Sequence, residues 1–182
     1  MPLPRSSPRH SMSRRHLLQA AGAVASFAAV GMLAGCGFKL RGAPNFAFSR
    51  IYLGFAPNSA LGNEVRRNIA SNANVQVLDA TQQATAQVIL DVLGETREKV
   101  VVGLNASGQV REFQLRFRFR FRLRTPDGKD LIPDAEILQQ RDISFNETVV
   151  LSKEAEEALL YRDMQSDIVQ QLMRRLAAVK EL

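Results

Sequence analysis

A row of arginines along one predicted strand is the feature of this sequence best suited to binding chemistry. Polar and apolar residues alternate without a break from Glu112 to Arg124. Successive side chains of an extended chain point to opposite faces, so the arginines of this stretch share one face. They are Arg116, Arg118, Arg120, Arg122 and Arg124. Planar guanidinium groups hold phosphates by two-point contacts, which makes this arginine row a candidate for binding an anionic lipid or a partner protein.

The opposite face of the same strand is apolar and must be covered by other parts of the chain. Its residues are Phe113, Leu115, Phe117, Phe119, Phe121 and Leu123. Nucleic-acid binding needs arginines and aromatic rings on one face, and here they point in opposite directions. A simpler interpretation of the arginine row is a solvated sheet face that Asp91 and Glu95 partly neutralise.

The residues of common catalytic sites are scarce beyond residue 36. Both histidines, His10 and His16, lie before it, and the single cysteine is Cys36 itself. Nucleophiles that depend on histidine are therefore excluded downstream, a zinc site would have only carboxylates, and no glycine-rich phosphate loop occurs. We expect a protein that is not an enzyme and has no cofactor or metal. A hydrolase that uses only Glu154, Glu156 and Glu157 is the alternative, although the start of a helix also accounts for these carboxylates.

The first 35 residues have the features of a signal peptide. A basic start precedes an apolar run over 17–33, which is shorter than the roughly 20 residues of a membrane-spanning helix. The next segment, Leu33-Ala-Gly-Cys36, resembles the lipobox of bacterial lipoproteins, in which the cysteine is acylated. Residues 13–18 also resemble a twin-arginine export signal. The general export route and a start at Met12 both remain open.

Cleavage before Cys36 sets the size and charge of the mature chain. Of 182 residues 147 remain, and removing four of the 24 basic residues leaves 20 against 18 acidic ones, a net charge of +2. Such a balance argues against a nucleic-acid partner. We expect a lipidated tether over 36–47 and a single domain over 48–182.

The start of the mature chain carries a family resemblance. The segment Cys-Gly-Phe-Lys-Leu-Arg-Gly at 36–42 resembles the beginning of the LPS-assembly lipoproteins, the LptE (RlpB) family. The resemblance implies an outer-membrane lipoprotein that binds lipopolysaccharide and plugs and helps to assemble the LptD β-barrel. Gly37 after the cysteine resembles the sorting pattern of outer-membrane lipoproteins. The alternative is an auxiliary lipoprotein of another lipid-transport system.

Hydrophobic periodicity and turn residues predict an α+β domain, an antiparallel or mixed sheet of about four strands with two helices packed on one face. In chain order we first expect a strand over 48–55, a helix over 60–71 capped by Asn58 or Ser59, and a strand over 75–78. A turn over 81–86 leads to a strand over 87–104 with a bulge at Gly94, followed by the arginine strand. The chain then continues with a strand over 136–147 and a helix capped by Ser152.

The turn at 105–108 predicts the register of the central hairpin. Paired positions should place Asp91 opposite Arg122 and Glu95 opposite Arg118. Arg120 and Arg124 are then predicted to have no acidic partner. After the Asp127-Gly128 turn, simple counting puts the apolar residues of the next strand on the arginine side of the sheet. We therefore expect a bulge near Pro133 that returns them to the phenylalanine side.

Overall fold

The computed structural model describes residues 45–146 and 150–182. The elements are β1 (Arg50–Gly54), α1 (Ala60–Ala70), β2 (Gln76–Leu78), a 3-10 helix (Ala80–Thr85), β3 (Val88–Leu104), β4 (Val110–Arg124), β5 (Asp130–Ser144) and α2 (Val150–Ala178). Their order is the predicted one, with five strands rather than about four, and β5 begins six residues earlier than expected. The predicted signal peptide, Cys36 and the motif at 36–42 lie outside the described residues.

The five strands form one mixed sheet in the order β2-β1-β3-β4-β5. β1 pairs in parallel with both β2 and β3, whereas β3, β4 and β5 are antiparallel neighbours. Helix α1 connects two parallel strands, and tight turns with a positive φ at Gly108 and Gly128 connect the three long ones. The predicted α+β class with a mixed sheet is confirmed.

The phenylalanine face of β4 is the floor of the hydrophobic core. Leu115, Phe117, Phe119, Phe121 and Leu123 have no exposed surface. The same cluster contains the apolar stripes of both helices, which are Leu61, Val65 and Ile69 of α1 and Met164, Ile168, Val169, Leu172, Met173 and Leu176 of α2. Burial of each large side chain stabilises the fold by about 1.5–3 kcal/mol, so both helices are held on the predicted face of the sheet.

A bulge in β3 changes the predicted register of the central hairpin. Asp91 lies opposite Arg122 as predicted, but the pairing shifts between Val92 and Gly94, and Arg118 then lies opposite Thr96. The predicted bulge is confirmed, and the predicted pairing of Glu95 with Arg118 is wrong. One extra residue moves the following side chains of β3, up to the next shift after Val101, to the other face. Glu95 consequently lies on the helix side, where its carboxylate accepts a hydrogen bond from the Ser59 hydroxyl at 2.7 Å.

A second irregularity lies where it was predicted, near Pro133. The β4–β5 pairing passes from Phe121 with Ala135 to Leu123 with Ile132, so two residues of β5 are left between these pairs. The shift returns the apolar residues of β5 to the core, and Ile137 is only 2% exposed. A polar turn alone could not have given this register.

The two helices begin differently. The Ser59 hydroxyl accepts a hydrogen bond from the backbone N–H of Gly62 at 2.8 Å, which confirms the predicted cap of α1. The predicted cap of α2 is wrong, because this helix already includes Val150 and Ser152 lies in its first turn. Residues 147–149 lie outside the described residues.

Candidate functional site: the arginine row and the distal pocket

The arginine row lies on the face of the sheet that the helices do not cover, where β3 and β5 supply carboxylates on either side. Asp91 of β3 accepts hydrogen bonds from two of the arginines, Arg122 Nη2 at 2.8 Å and Arg124 Nε at 2.7 Å. Arg122 Nε also lies 3.8 Å from an oxygen of Asp130. The predicted pair of Asp91 with Arg122 is thus confirmed, and Asp91 also binds Arg124, two positions further along β4.

The remaining arginines have partners on β5 or on β4 itself. Arg118 pairs with Glu136 at 3.4 Å and Arg120 pairs with Asp134, while Arg116 Nε donates to the Gln114 side chain at 2.8 Å. The prediction that Arg120 and Arg124 have no acidic partner is wrong. The irregularity near Pro133 brings Asp134 within reach of Arg120, and Arg124 reaches along the sheet to Asp91. Side-chain length and the bulge decide both contacts, and strand alternation shows neither.

These ion pairs shift the pKa values of the groups involved. Partial burial by itself would raise the pKa of Asp91, but the hydrogen bonds and charges of Arg124 and Arg122 outweigh it and lower that pKa below its ordinary value. The hydrogen bond to Asp134 raises the pKa of Arg120, and the hydrogen bond to Asp91 raises that of Arg122. A phosphate that binds to this row must therefore compete with carboxylates already in place.

On the helix side, the shifted register of β3 directs Arg97 and Lys99 toward α2. The Arg97 guanidinium lies 4.5 Å from the ring centre of Phe117 and donates to the Gln165 side chain at 2.9 Å. Next to it, the Tyr161 hydroxyl donates to the backbone oxygen of Glu98 at 2.8 Å. Burial, followed by the nearby charge of Glu157, raises the pKa of Tyr161. This part of the interface is a structural bridge between β3 and α2.

A pocket lies at the distal end of the domain, which we define as the end where β3 finishes, β4 starts, β5 finishes and α2 begins. This distal pocket has a volume of about 230 Å³. Its apolar lining is Phe113, Ile143, Phe145 and Val150, and its charged lining is Lys99, Lys153, Glu154 and Glu157. The rings of Phe113 and Phe145 meet edge to face with centres 5.3 Å apart.

Two ammonium groups border the distal pocket. Lys99 Nζ lies 4.4 Å above the Phe113 ring and 2.7 Å from Glu157. Lys153 Nζ lies 2.8 Å from Glu156 and 3.0 Å from the Ser144 hydroxyl. Large apolar side chains near this end are unusually exposed, including Val101 at 46%, Leu104 at 62% and Leu151 at 82%. Apolar surface beside ammonium groups suits a ligand that has both acyl chains and phosphates.

Sequence reasoning missed the distal pocket. Strict alternation along β3 puts Lys99 on the polar face with Asp91, and Lys153 lies in a charged helical stretch that is typical of a solvated surface. The glycine at position 94 was the available signal, since a bulge there turns Lys99 toward the helices. The carboxylates of Glu156 and Glu157, considered for catalysis, are instead ion-pair partners of these lysines, and all three glutamates lie beyond the first turn of α2.

No group of three or more histidine, cysteine, aspartate or glutamate residues is arranged to hold a metal ion within 45–146 and 150–182. Neither helix in this part of the chain is long and apolar enough to cross a membrane.

The fold is that of a class of bacterial lipoprotein domains. A solution structure of lipoprotein B from Nitrosomonas europaea is 35% identical, with a TM-score of 0.66 and coverage of 78% of this chain and 91% of that one. A crystal structure of the rare lipoprotein B from Shewanella oneidensis shares the fold at 21% identity, with a TM-score of 0.61 and coverage of 71% and 95%.

Sequence comparison gives the family. The LptE family, described as lipopolysaccharide-assembly, matches residues 48–176, and the chain belongs to it. The LPS-assembly lipoprotein LptE of Yersinia pestis (strain Pestoides F) is 29% identical over 154 residues, covering 83% of this chain and 72% of the relative. A Yersinia pseudotuberculosis protein of the same name matches equally. The family resemblance seen in residues 36–42 is confirmed.

Proposed function

We propose that this chain is the lipoprotein subunit of an outer-membrane lipopolysaccharide translocon. In this proposal acylated Cys36 anchors the domain, an LptD-type β-barrel is its partner, and the domain plugs that barrel, assists its assembly and binds lipopolysaccharide for insertion into the outer leaflet. Family membership over residues 48–176 supports the role in lipopolysaccharide assembly. The role is one of binding and assembly rather than catalysis.

The distal pocket is the observation that carries lipopolysaccharide binding. Lipopolysaccharide joins phosphates to acyl chains, and the pocket places Lys99 and Lys153 beside the rings of Phe113 and Phe145. The exposed Val101, on the same face as Phe113, extends the apolar surface. A phosphate there would replace Glu157 and Glu156 as the partner of the two ammonium groups in charge-assisted hydrogen bonds. Burial of acyl carbons against the rings favours the lipid over free phosphate and distinguishes this pocket from the arginine row.

The arginine row is the second candidate surface for the same ligand or for the barrel partner. Its side chains remain reachable, since Arg118, Arg120 and Arg122 are 39–46% exposed despite their ion pairs. The row has less apolar surface beside it than the distal pocket has, because the phenylalanines of β4 lie on the opposite, buried face and Leu138, opposite Arg118, is 38% exposed. We therefore expect it to contribute less to lipid binding than the distal pocket.

A binding measurement with three variants separates these surfaces. We expect Lys99→Gln with Lys153→Gln to weaken lipopolysaccharide binding about tenfold or more, since each loses a charge-assisted contact worth roughly 1.5–3 kcal/mol. Arg118→Ala with Arg120→Ala and Arg122→Ala should weaken it less. Arg111→Gln with Arg162→Gln, two exposed arginines that do not line the distal pocket, is the matched control for loss of two charges. Equal weakening by the lysine pair and the control would reject the distal pocket as the site.

Copurification tests the partner. Tagged, acylated protein extracted from outer membranes in mild detergent should bring down one large β-barrel protein. Recovery of a different membrane protein would favour the alternative, an auxiliary lipoprotein of another lipid-transport system. Recovery of no barrel at all would contradict the proposed translocon role.

A further inference from the structure

The proximal end of the domain, opposite the distal pocket, collects the chain segments nearest to the tether. β1, β2, β3 and β5 begin there and β4 ends there, as the strand pairing requires. The backbone N–H of Gln76 donates to Ser49 at 2.8 Å, which brings the turn after α1 to this end. Lys129 Nζ donates to the backbone oxygen of Leu182 at 3.1 Å, so the end of α2 lies there too.

The described segments at the proximal end carry an excess of positive charge. In 45–50, 66–88, 125–130 and 174–182 there are seven cations and four acidic side chains. The cations are Arg50, Arg66, Arg67, Lys129, Arg174, Arg175 and Lys180, and the acids are Asp79, Asp127, Asp130 and Glu181. All of the cations except Arg175 are exposed.

The distal end lacks this excess. In 98–116, 140–146 and 150–157 the described residues include five cations and six acidic side chains. The cations are Lys99, Arg111, Arg116, Arg141 and Lys153, and the acids are Glu98, Glu112, Asp142, Glu154, Glu156 and Glu157. The domain therefore has a net charge of about +3 at one end and −1 at the other by this count, an electrical asymmetry along the direction of the strands.

The tether is short enough to hold the proximal end close to a membrane. Eight residues lie between Cys36 and Asn45, where the described chain begins. Fully extended, this segment spans at most about 30 Å, so an acyl anchor on Cys36 keeps the proximal end near the bilayer. The next residues, Phe46 and Phe48, stack on each other with ring centres 5.1 Å apart, and Phe48 is buried in the core, so the chain enters the fold at this end.

We propose that the proximal end docks on anionic phospholipid headgroups of the leaflet that holds the acyl anchor, and so orients the domain with its distal pocket directed away from that surface. The inference rests on acylation of Cys36 in the proposed function. Acyl chains supply the affinity, and clustered lysines and arginines next to an anionic leaflet supply a preferred orientation.

Fluorescence quenching on vesicles tests this orientation. The acylated protein is labelled at Asn74→Cys, in the turn after α1 at the proximal end, or at Ser107→Cys, in the distal β3–β4 turn. Vesicles of phosphatidylcholine, with or without phosphatidylglycerol, contain a lipid with a quenching headgroup. With phosphatidylglycerol, we expect quenching at position 74 to exceed that at position 107 by about twofold or more, and high salt should abolish the difference.

Matched charge removals identify the surface. Arg67→Gln with Arg174→Gln should lose most of the difference, whereas Arg111→Gln with Arg162→Gln, two exposed arginines outside the proximal end, should keep it. If quenching at positions 74 and 107 differs equally on phosphatidylcholine alone, the tether orients the domain. If both double variants change that difference equally, the proximal cations are excluded. Either result overturns the docking proposal. Failure of the protein to enter vesicles at all would instead refute the acyl anchor. Orientation that appears only with a copurified acidic protein would assign the surface to that partner and also overturn docking on lipid.

Discussion

Asp91 of β3 binds two arginines of β4 on the face of the sheet that the helices leave uncovered. It accepts hydrogen bonds from two arginines on the neighbouring strand, and its side chain is 24% exposed. A carboxylate held by two guanidinium groups is stabilised in its ionised form, which explains its lowered pKa. The Asp91 carboxylate therefore binds a proton more weakly in the folded state than in the unfolded state.

The sign of the pH dependence follows from that lowered pKa. The contribution of Asp91 to stability is complete above the unfolded pKa of about 3.9 and is lost as the pH falls through the lower folded value. We expect Asp91→Asn to lower the free energy of unfolding by about 1 kcal/mol at pH 7, with the difference shrinking below about pH 4. Urea unfolding across this pH range measures it.

Asp163→Asn, at an exposed position of α2, is the control for Asp91→Asn. It should change stability little at any pH, since isolated surface substitutions usually stay within about 0.5 kcal/mol. A constant difference between Asp91→Asn and the wild-type protein from neutral to acidic pH would contradict a role for the charge.

At the scale of elements, α1 and the residue that follows β1, Phe55, lie closer together than a side chain at Gly62 would allow. Gly62 lies in the first turn of α1, where an added Cβ would sit 2.6 Å from the Cβ and Cγ of Phe55. Phe55 in turn stacks on Phe119 with ring centres 5.6 Å apart. The glycine thus allows α1 to lie close to the ring that covers the middle of β4.

Gly62→Ala tests this close packing. Alanine normally favours a helix over glycine by up to about 1 kcal/mol, but here the methyl group must displace the Phe55 ring, and overpacking costs about 1–3 kcal/mol. We expect a net loss of stability, measured as a lower urea midpoint. Asn63→Ala, one residue later and exposed, should be neutral or stabilising. A more stable Gly62→Ala variant would show that Phe55 moves freely.

At the scale of the whole molecule, one hydrophobic cluster joins residues of β1, α1, β3, β4, β5 and α2. The residues of this cluster are far apart in the sequence, and neither helix can bury its apolar stripe without the sheet. A domain of this size with one continuous core is expected to unfold in a single cooperative step. Lipid binding at the distal end would then stabilise the whole domain rather than one part of it.

The two tyrosines offer a test of this cooperativity. The chain has no tryptophan, and its two tyrosines lie in β1 (Tyr52) and α2 (Tyr161). Tyr52→Phe leaves a probe of the helix, and Tyr161→Phe leaves a probe of the sheet. Within each variant we expect tyrosine fluorescence and circular dichroism to give the same urea midpoint. Separate midpoints would show that α2 and the sheet unfold independently.

The sequence by itself determined the buried face of β4, the apolar stripes of both helices and the order of the elements. Alternation over 112–124 identified the core face of β4, and four-residue spacing identified the apolar stripe of α2, because strand and helix periods are local properties of the backbone. The acylation motif and the family resemblance were also readable locally, and the comparisons confirm the family.

Only the tertiary structure decided which charges meet. The bulge in β3 turned Glu95, Arg97 and Lys99 toward the helices, and the irregularity near Pro133 brought Asp134 to Arg120. An ion pair depends on register, side-chain length and twist together, and an error of one residue in register exchanges the faces of a strand. For that reason the sequence predicted the arginine row, while the distal pocket and the partners of Arg120 and Arg124 emerged only from the fold.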